Sequence, residues 1–128
     1  MDLAALKYAK THEWVAIEGD MATVGITDFA VHLLSDLVFI DLPKPGKALK
    51  VGESCGEVES VKAVSDVYAP LAGVVTETNP ELGDTTEKLS SDPFGAGWLI
   101  KMKVTDLSGV TNLLDRAAYE KHCESEAH

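Results

Sequence analysis

No stretch of this chain approaches the roughly 18 consecutive apolar residues that a membrane-spanning helix needs, so no transmembrane span is expected. The first residues have no continuous apolar core, and no secretory signal is expected either; a removed transit peptide stays open. Cations are scarce. Eleven Lys and Arg stand against 21 Asp and Glu, a formal net charge of −10. That balance disfavours nucleic acid, whose phosphates need a basic surface, and equally an anionic membrane. It suits salt-sensitive encounters with basic patches on protein partners. Cysteine is nearly absent. Cys55 and Cys123 form no CxxC pair, so both read as free thiols in a reducing compartment. His122, Cys123 and His128 match no closed tetrahedral spacing, and no metal is expected.

What remains is ordinary for a folded domain: 128 residues, 45% apolar and 25% charged, enough for one domain with its own core. One stretch stands out, residues 56–70, Gly-Glu-Val-Glu-Ser-Val-Lys-Ala-Val-Ser-Asp-Val-Tyr-Ala-Pro. Valine-rich arms bounded by glycine and proline predict two strands that turn near Val61-Lys62-Ala63. Lys62 then sits at the tip. Side chains alternate along a strand, so Glu57 and Glu59 share one face of the first arm. Asp66 follows four residues after the lysine. Spacing alone leaves Lys62 open between a presented functional amine and an ordinary solvated surface lysine.

Further segments carry a family likeness. ESVKA followed by SDVYAPLAG resembles the attachment site of the glycine cleavage system H-protein family. THEWV, VGITDFA, VFIDLPKPG, SDPFGAGWLIK and the late AAYEKH resemble that family in the family's order, over roughly residues 6–122. The resemblance implies a mainly β, lipoyl-domain-like barrel-sandwich hybrid of antiparallel strands with short helices and a C-terminal helix near 115–124. It implies a single lipoyl-carrier domain over 1–128, with lipoate joined to Lys62 through an amide. It implies a non-catalytic shuttle that takes an aminomethyl group from a pyridoxal-phosphate glycine decarboxylase. The group passes to a tetrahydrofolate-dependent aminomethyltransferase, and electrons pass to a dihydrolipoyl dehydrogenase. A lipoate ligase or lipoyl transferase would load the lysine. A monomer is expected, in a bacterial cytoplasm or, with a transit peptide removed, a mitochondrial matrix. Glu13 of the THEW segment, with Glu57, Glu59 and Asp66, is expected in recognition or in a cleft where the arm rests. The chain has Leu34-Ser35-Asp36 where the family has Leu-Gly-acid, so the cleft's polar lining is expected to depart from the family there.

The other elements follow from pattern. His12–Ile17 and Met21–Ile26 read as a hairpin around Glu18-Gly19-Asp20, and His12 with Glu13 reads as an acid/base pair or an exposed strand end. Thr27 reads as the N-cap of a short helix. Leu37–Leu42 barely alternates and predicts a strand buried on both faces. Trp98, Ile100, Met102 and Val104 alternate with Lys101 and Lys103. Two rival functions stay open. One is another swinging-arm carrier: a 2-oxo acid dehydrogenase lipoyl domain, a biotinyl domain, or a relay that passes lipoate on. The other is an enzyme using Lys62 as a Schiff-base nucleophile. That chemistry wants a desolvated amine, whereas Glu57, Glu59 and Asp66 favour the charged form.

Overall fold

Two antiparallel sheets share one buried interior. The structure is a computed structural model and describes residues 6–34, 37–42, 44–61, 64–79, 89, 91–95, 97–106 and 113–126. The strands are β1 (Lys7–Tyr8), β2 (Glu13–Glu18), β3 (Met21–Ile26), β4 (Leu37–Asp41), β5 (Ala48–Leu49), β6 (Ser54–Ser60), β7 (Val64–Tyr68), β8 (Ala72–Thr78) and β9 (Ile100–Asp106). Two helices are described, α1 (Asp28–Leu34) and α2 (Arg116–Glu126). One sheet runs β1-β2-β3-β9-β8-β5, the other β4-β6-β7. The mainly β barrel-sandwich architecture expected from the family resemblance is the one observed.

The main core joins the sheets. Val15, Val24, Val75, Ile100 and Met102 of the larger sheet pack with Ile40, Cys55, Val58 and Val67 of the smaller. A second cluster covers the other face of β2: Leu6, Tyr8, Trp14, Tyr119 and Cys123. Alternation along β2 therefore sends Val15 and Ile17 into the main core and Trp14 and Ala16 into the second cluster. This matters for the site, because Glu13 shares its face with Val15. Gly25, paired with Trp14, leaves room for the indole: a Cβ there would lie 2.6 Å from the Trp14 ring.

Local chemistry sets the element ends. Gly19 turns the β2–β3 hairpin with φ 62°, a conformation that glycine adopts without steric cost. The Ala30 N–H donates to Thr27 Oγ1 at 3.2 Å, capping α1 as expected. The Ala118 N–H donates to Asp115 Oδ1 at 2.8 Å, capping α2. Ile100, Met102 and Val104 point inward from β9, while Lys101 and Lys103 reach Glu77 and Asp20 at 3.8 and 3.9 Å. Cys55 and Cys123 are both buried, and neither is in a disulfide.

One expectation is overturned. β4 is not buried on both faces. It is an edge of the smaller sheet, and Val38 and Phe39 are 54% and 57% exposed. The register slips between Leu37 and Phe39, and this bulge breaks the alternation so that consecutive apolar side chains both face outward. Ile40 alone in this strand is fully buried.

Candidate functional site

The β6–β7 pair forms the central hairpin. Glu57 lies opposite Asp66, Val58 opposite Ser65 and Glu59 opposite Val64. The connection runs from Ser60 to Val64, and Val61 within it is 71% exposed. Lys62 belongs to that connection by sequence; Lys62 and Ala63 lie outside the described residues. Glu57 and Glu59 are exposed, and Val58 between them is buried, so the two glutamates do share the outer face of β6.

A cleft opens where β7, the free edge of the smaller sheet, meets the turn into β2. Its free volume is about 80 Å³, room for a few waters or one small polar group. Thr11, His12, Glu13, Ser65 and Asp66 give it polar walls, and Ile26, Ala30, Val58 and Val67 the apolar ones. The structure thus brings two predicted residues, Glu13 and Asp66, to one cleft. Glu57 and Glu59 do not line it. Ser35 and Asp36, where a departure from the family is expected, lie outside the described residues.

Glu13 is 1% exposed, which overturns the exposed-strand-end reading. Burial pushes its carboxyl up from 4.5 to about 7, because the charged form loses its water. Two donors hold it partly in check: the Thr11 hydroxyl donates to Glu13 Oε1, and the Tyr68 backbone amide lies on it. His12 sits just before it with φ 79°, the left-handed region that few non-glycine residues enter. Its Nδ1 is hydrogen-bonded to the Tyr119 hydroxyl at 2.8 Å, and that hydroxyl meets Thr27 Oγ1 at 2.5 Å. The kink at His12, tied to α2 and the cap of α1, turns the chain so that β2 enters the sheet with Glu13 facing inward. His12 points to Tyr119, which leaves Glu13 without a His12 acid/base partner.

Asp66 is the softer wall. It is exposed, and its contacts from Ser54 Oγ and the Tyr68 hydroxyl are both at 3.5 Å, the outer limit for a hydrogen bond. The cleft therefore offers one carboxyl balanced near neutrality and a second, solvated one, a pairing suited to a small amine. Among the described residues no group of His, Cys, Asp and Glu is placed to hold a metal ion.

The family model for the glycine cleavage H-protein matches residues 6–126. The chain belongs to that family. It is 49% identical over 120 residues to the glycine cleavage system H protein of Thermotoga maritima, covering 94% of this chain and 97% of the relative. It is 54% identical over 115 residues to that of Bradyrhizobium diazoefficiens, covering 90% and 94%. A crystal structure of a glycine cleavage system H protein from Mycobacterium marinum superposes with a TM-score of 0.85 at 41% identity, covering 92% of this chain and 95% of that one. The chain's role is that of an H protein, the lipoyl carrier of the glycine cleavage system.

Sequence reasoning missed Thr11 and Ser65 as parts of this carrier's cleft. A signal for Thr11 was present. Glu13, Val15 and Ile17 alternate, so a buried Val15 implies a buried Glu13, and a buried carboxyl needs a nearby donor. Ser65 carried no such signal: it is exposed, and only the packing of β7 against the Thr11–Glu13 turn brings it in.

Proposed function

We propose that Lys62 carries lipoate as an amide on Nζ and that the cleft lined by Glu13 and Asp66 shelters the amine end of the loaded arm. Family membership supports the cofactor; the residues present fit it. By sequence the lysine falls in the connection of the β6–β7 pair, which β4 backs along β6, and the cleft lies along the same hairpin's β7 edge. The observation that carries the reading is the buried Glu13 carboxyl in that cleft, with Asp66 in the same wall.

The bound group would supply the sulfur chemistry, accepting a carbon unit and electrons. This chain supplies presentation and shelter. The hairpin tethers the arm, which raises its effective concentration at each docked enzyme. Glu13 Oε accepts a hydrogen bond from an entering amine, and an ammonium would hold that carboxyl ionised despite its burial. Asp66 adds a second negative charge at the mouth. Ile26, Ala30, Val58 and Val67 exclude water from the amine carbon. On this reading the chain itself makes and breaks no substrate bond. The partners are the pyridoxal-phosphate decarboxylase, the tetrahydrofolate-dependent aminomethyltransferase, the dihydrolipoyl dehydrogenase and a lipoate ligase or lipoyl transferase. A reducing compartment suits its two buried cysteines, neither of them in a disulfide.

Intact-protein mass spectrometry tests the attachment. Wild type co-expressed with a lipoate ligase gains one lipoyl mass, and Lys62→Arg gains none while keeping its circular dichroism spectrum. A lipoyl adduct persisting on the variant overturns the assignment.

A further inference from the structure

The turn that brings Thr11 and Glu13 to the cleft is gripped from behind by α2. Within the turn the His12 N–H donates to the Ala9 carbonyl at 3.0 Å, and the Ala9 N–H to the Glu13 carbonyl at 2.9 Å. These bonds close the connection between β1 and β2. They leave His12 at φ 79°, a conformation that a non-glycine residue keeps where its surroundings fix it. Two side chains of α2 reach that spot. The Tyr119 hydroxyl is hydrogen-bonded to His12 Nδ1 at 2.8 Å. His122 Nε2 donates to the Lys10 carbonyl at 2.9 Å. The two residues are three apart, so they share one face of the helix. The helix itself is firmly seated. Tyr119 is buried and stacks on Tyr8 with ring centroids 4.8 Å apart, and just before α2 Leu114 exchanges two backbone hydrogen bonds with Tyr8.

The grip opposes a definite pull. Glu13 is the first residue of β2, and just before it the Thr27 N–H donates to the His12 carbonyl at 3.0 Å. A buried carboxyl is drawn toward water whenever it ionises, and a strand end is where the backbone yields most easily. We propose that Tyr119 and His122 are positioning residues for the carrier's cleft, bracing the Lys10–His12 turn so that the Thr11 hydroxyl and the Glu13 carboxyl stay aimed at an arriving amine. The inference rests on the sheltering role proposed for the cleft. It adds to that site a helix face that does not line it.

The test uses the full chain, unloaded and loaded. In unloaded protein, Tyr119→Phe with His122→Leu keeps the stacked ring and removes both contacts. Amide hydrogen exchange at Ala9 and His12 should then speed up on the order of tenfold, the scale of one or two lost hydrogen bonds, while β8 and β9 keep wild-type rates. Tyr119→Phe with His122→Gln retains a side-chain N–H for the Lys10 carbonyl and should recover part of the protection. Lipoylated protein is then loaded by excess decarboxylase and glycine, checked by mass and freed of the enzyme. Water cleaves the aminomethyl thioether to thiol, formaldehyde and ammonium, and the ammonium is measured. The Tyr119→Phe, His122→Leu variant should release it several-fold faster than wild type. Leu49→Ala, a buried truncation in β5 at the far edge of the sheet, should lower the thermal midpoint and leave release unchanged. Wild-type exchange at Ala9 and His12 in the Tyr119→Phe, His122→Leu variant overturns the inference. So does faster exchange with wild-type release, when Glu13→Gln releases ammonium faster than wild type. Wild-type release from Glu13→Gln is a different failure: the sheltering role of the cleft falls, and the positioning role falls with it.

Discussion

Replacing Glu13 by glutamine should make this protein more stable at pH 8 and remove most of a stability loss that wild type suffers on the way there. The carboxyl is 1% exposed and rises from 4.5 to about 7, with burial as the leading cause. The folded state therefore holds a proton that the unfolded chain releases earlier. Stability from this group is fully present below about pH 4.5 and is lost as pH rises through about 7. Integrating the linkage gives about 2–3 kcal/mol lost between pH 5 and pH 8. Glutamine has nearly the same shape, keeps an acceptor for the Thr11 hydroxyl and does not titrate. Urea denaturation of both proteins across that range isolates the effect, because every other group cancels in the difference. The wild-type minus variant curve should fall by about 2–3 kcal/mol, most steeply between pH 5 and 7. Parallel curves, differing by a constant at all pH values, would falsify the burial argument and the amine-binding role built on it.

Other perturbations follow from the same packing. Gly25→Ala would press a methyl into the Trp14 indole at 2.6 Å and should cost about 1–3 kcal/mol, read as a lowered thermal midpoint. Thr27→Ala removes the α1 cap and a partner of the buried Tyr119 hydroxyl, for about 1–2 kcal/mol in denaturant titration, whereas Thr27→Ser should recover most of it. The Cys55 thiol, pushed up to about 12 by burial, should resist iodoacetamide at pH 8 in the folded protein and react once urea unfolds it.

Much of the architecture was legible because it rests on short-range signals. The β2–β3 turn, the Thr27 cap, the β6–β7 hairpin and the alternation of β9 each follow from a few adjacent residues, and each is present. What failed depended on contacts distant in sequence. β4 reads as buried because five of the six residues in Leu37–Leu42 are apolar, but burial belongs to its place in the sheet. As an edge strand with a bulge, it shows Val38 and Phe39 to solvent. Glu13 reads as a surface acid because glutamate rarely sits inside a protein. Its depth is fixed by the left-handed turn at His12, and that turn is held by Tyr119, more than a hundred residues along the chain. Lys62 was chosen from local spacing and family resemblance, and the described strands on either side place its connection without describing the residue itself.

The costly features of this fold converge on one hairpin. A buried carboxyl rising to about 7 works against folding at neutral pH. So does a row of three carboxylates facing one another across β4, β6 and β7, and so do apolar side chains left in water beside it. A domain needing only to fold would lose nothing by replacing Glu13 with glutamine, Glu57 with lysine and Phe39 with threonine. These costs share a location: β7's edge carries the cleft, β6 and β4 carry the outer face, and the connection between β6 and β7 contains Lys62. Apolar and acidic groups left in water in this way would gain where a transient partner covers them. The triple variant Glu13→Gln, Glu57→Lys, Phe39→Thr should accordingly be more stable than wild type at pH 8 and a poorer carrier. A triple variant that gains stability and shuttles as well as wild type would show that these residues are incidental.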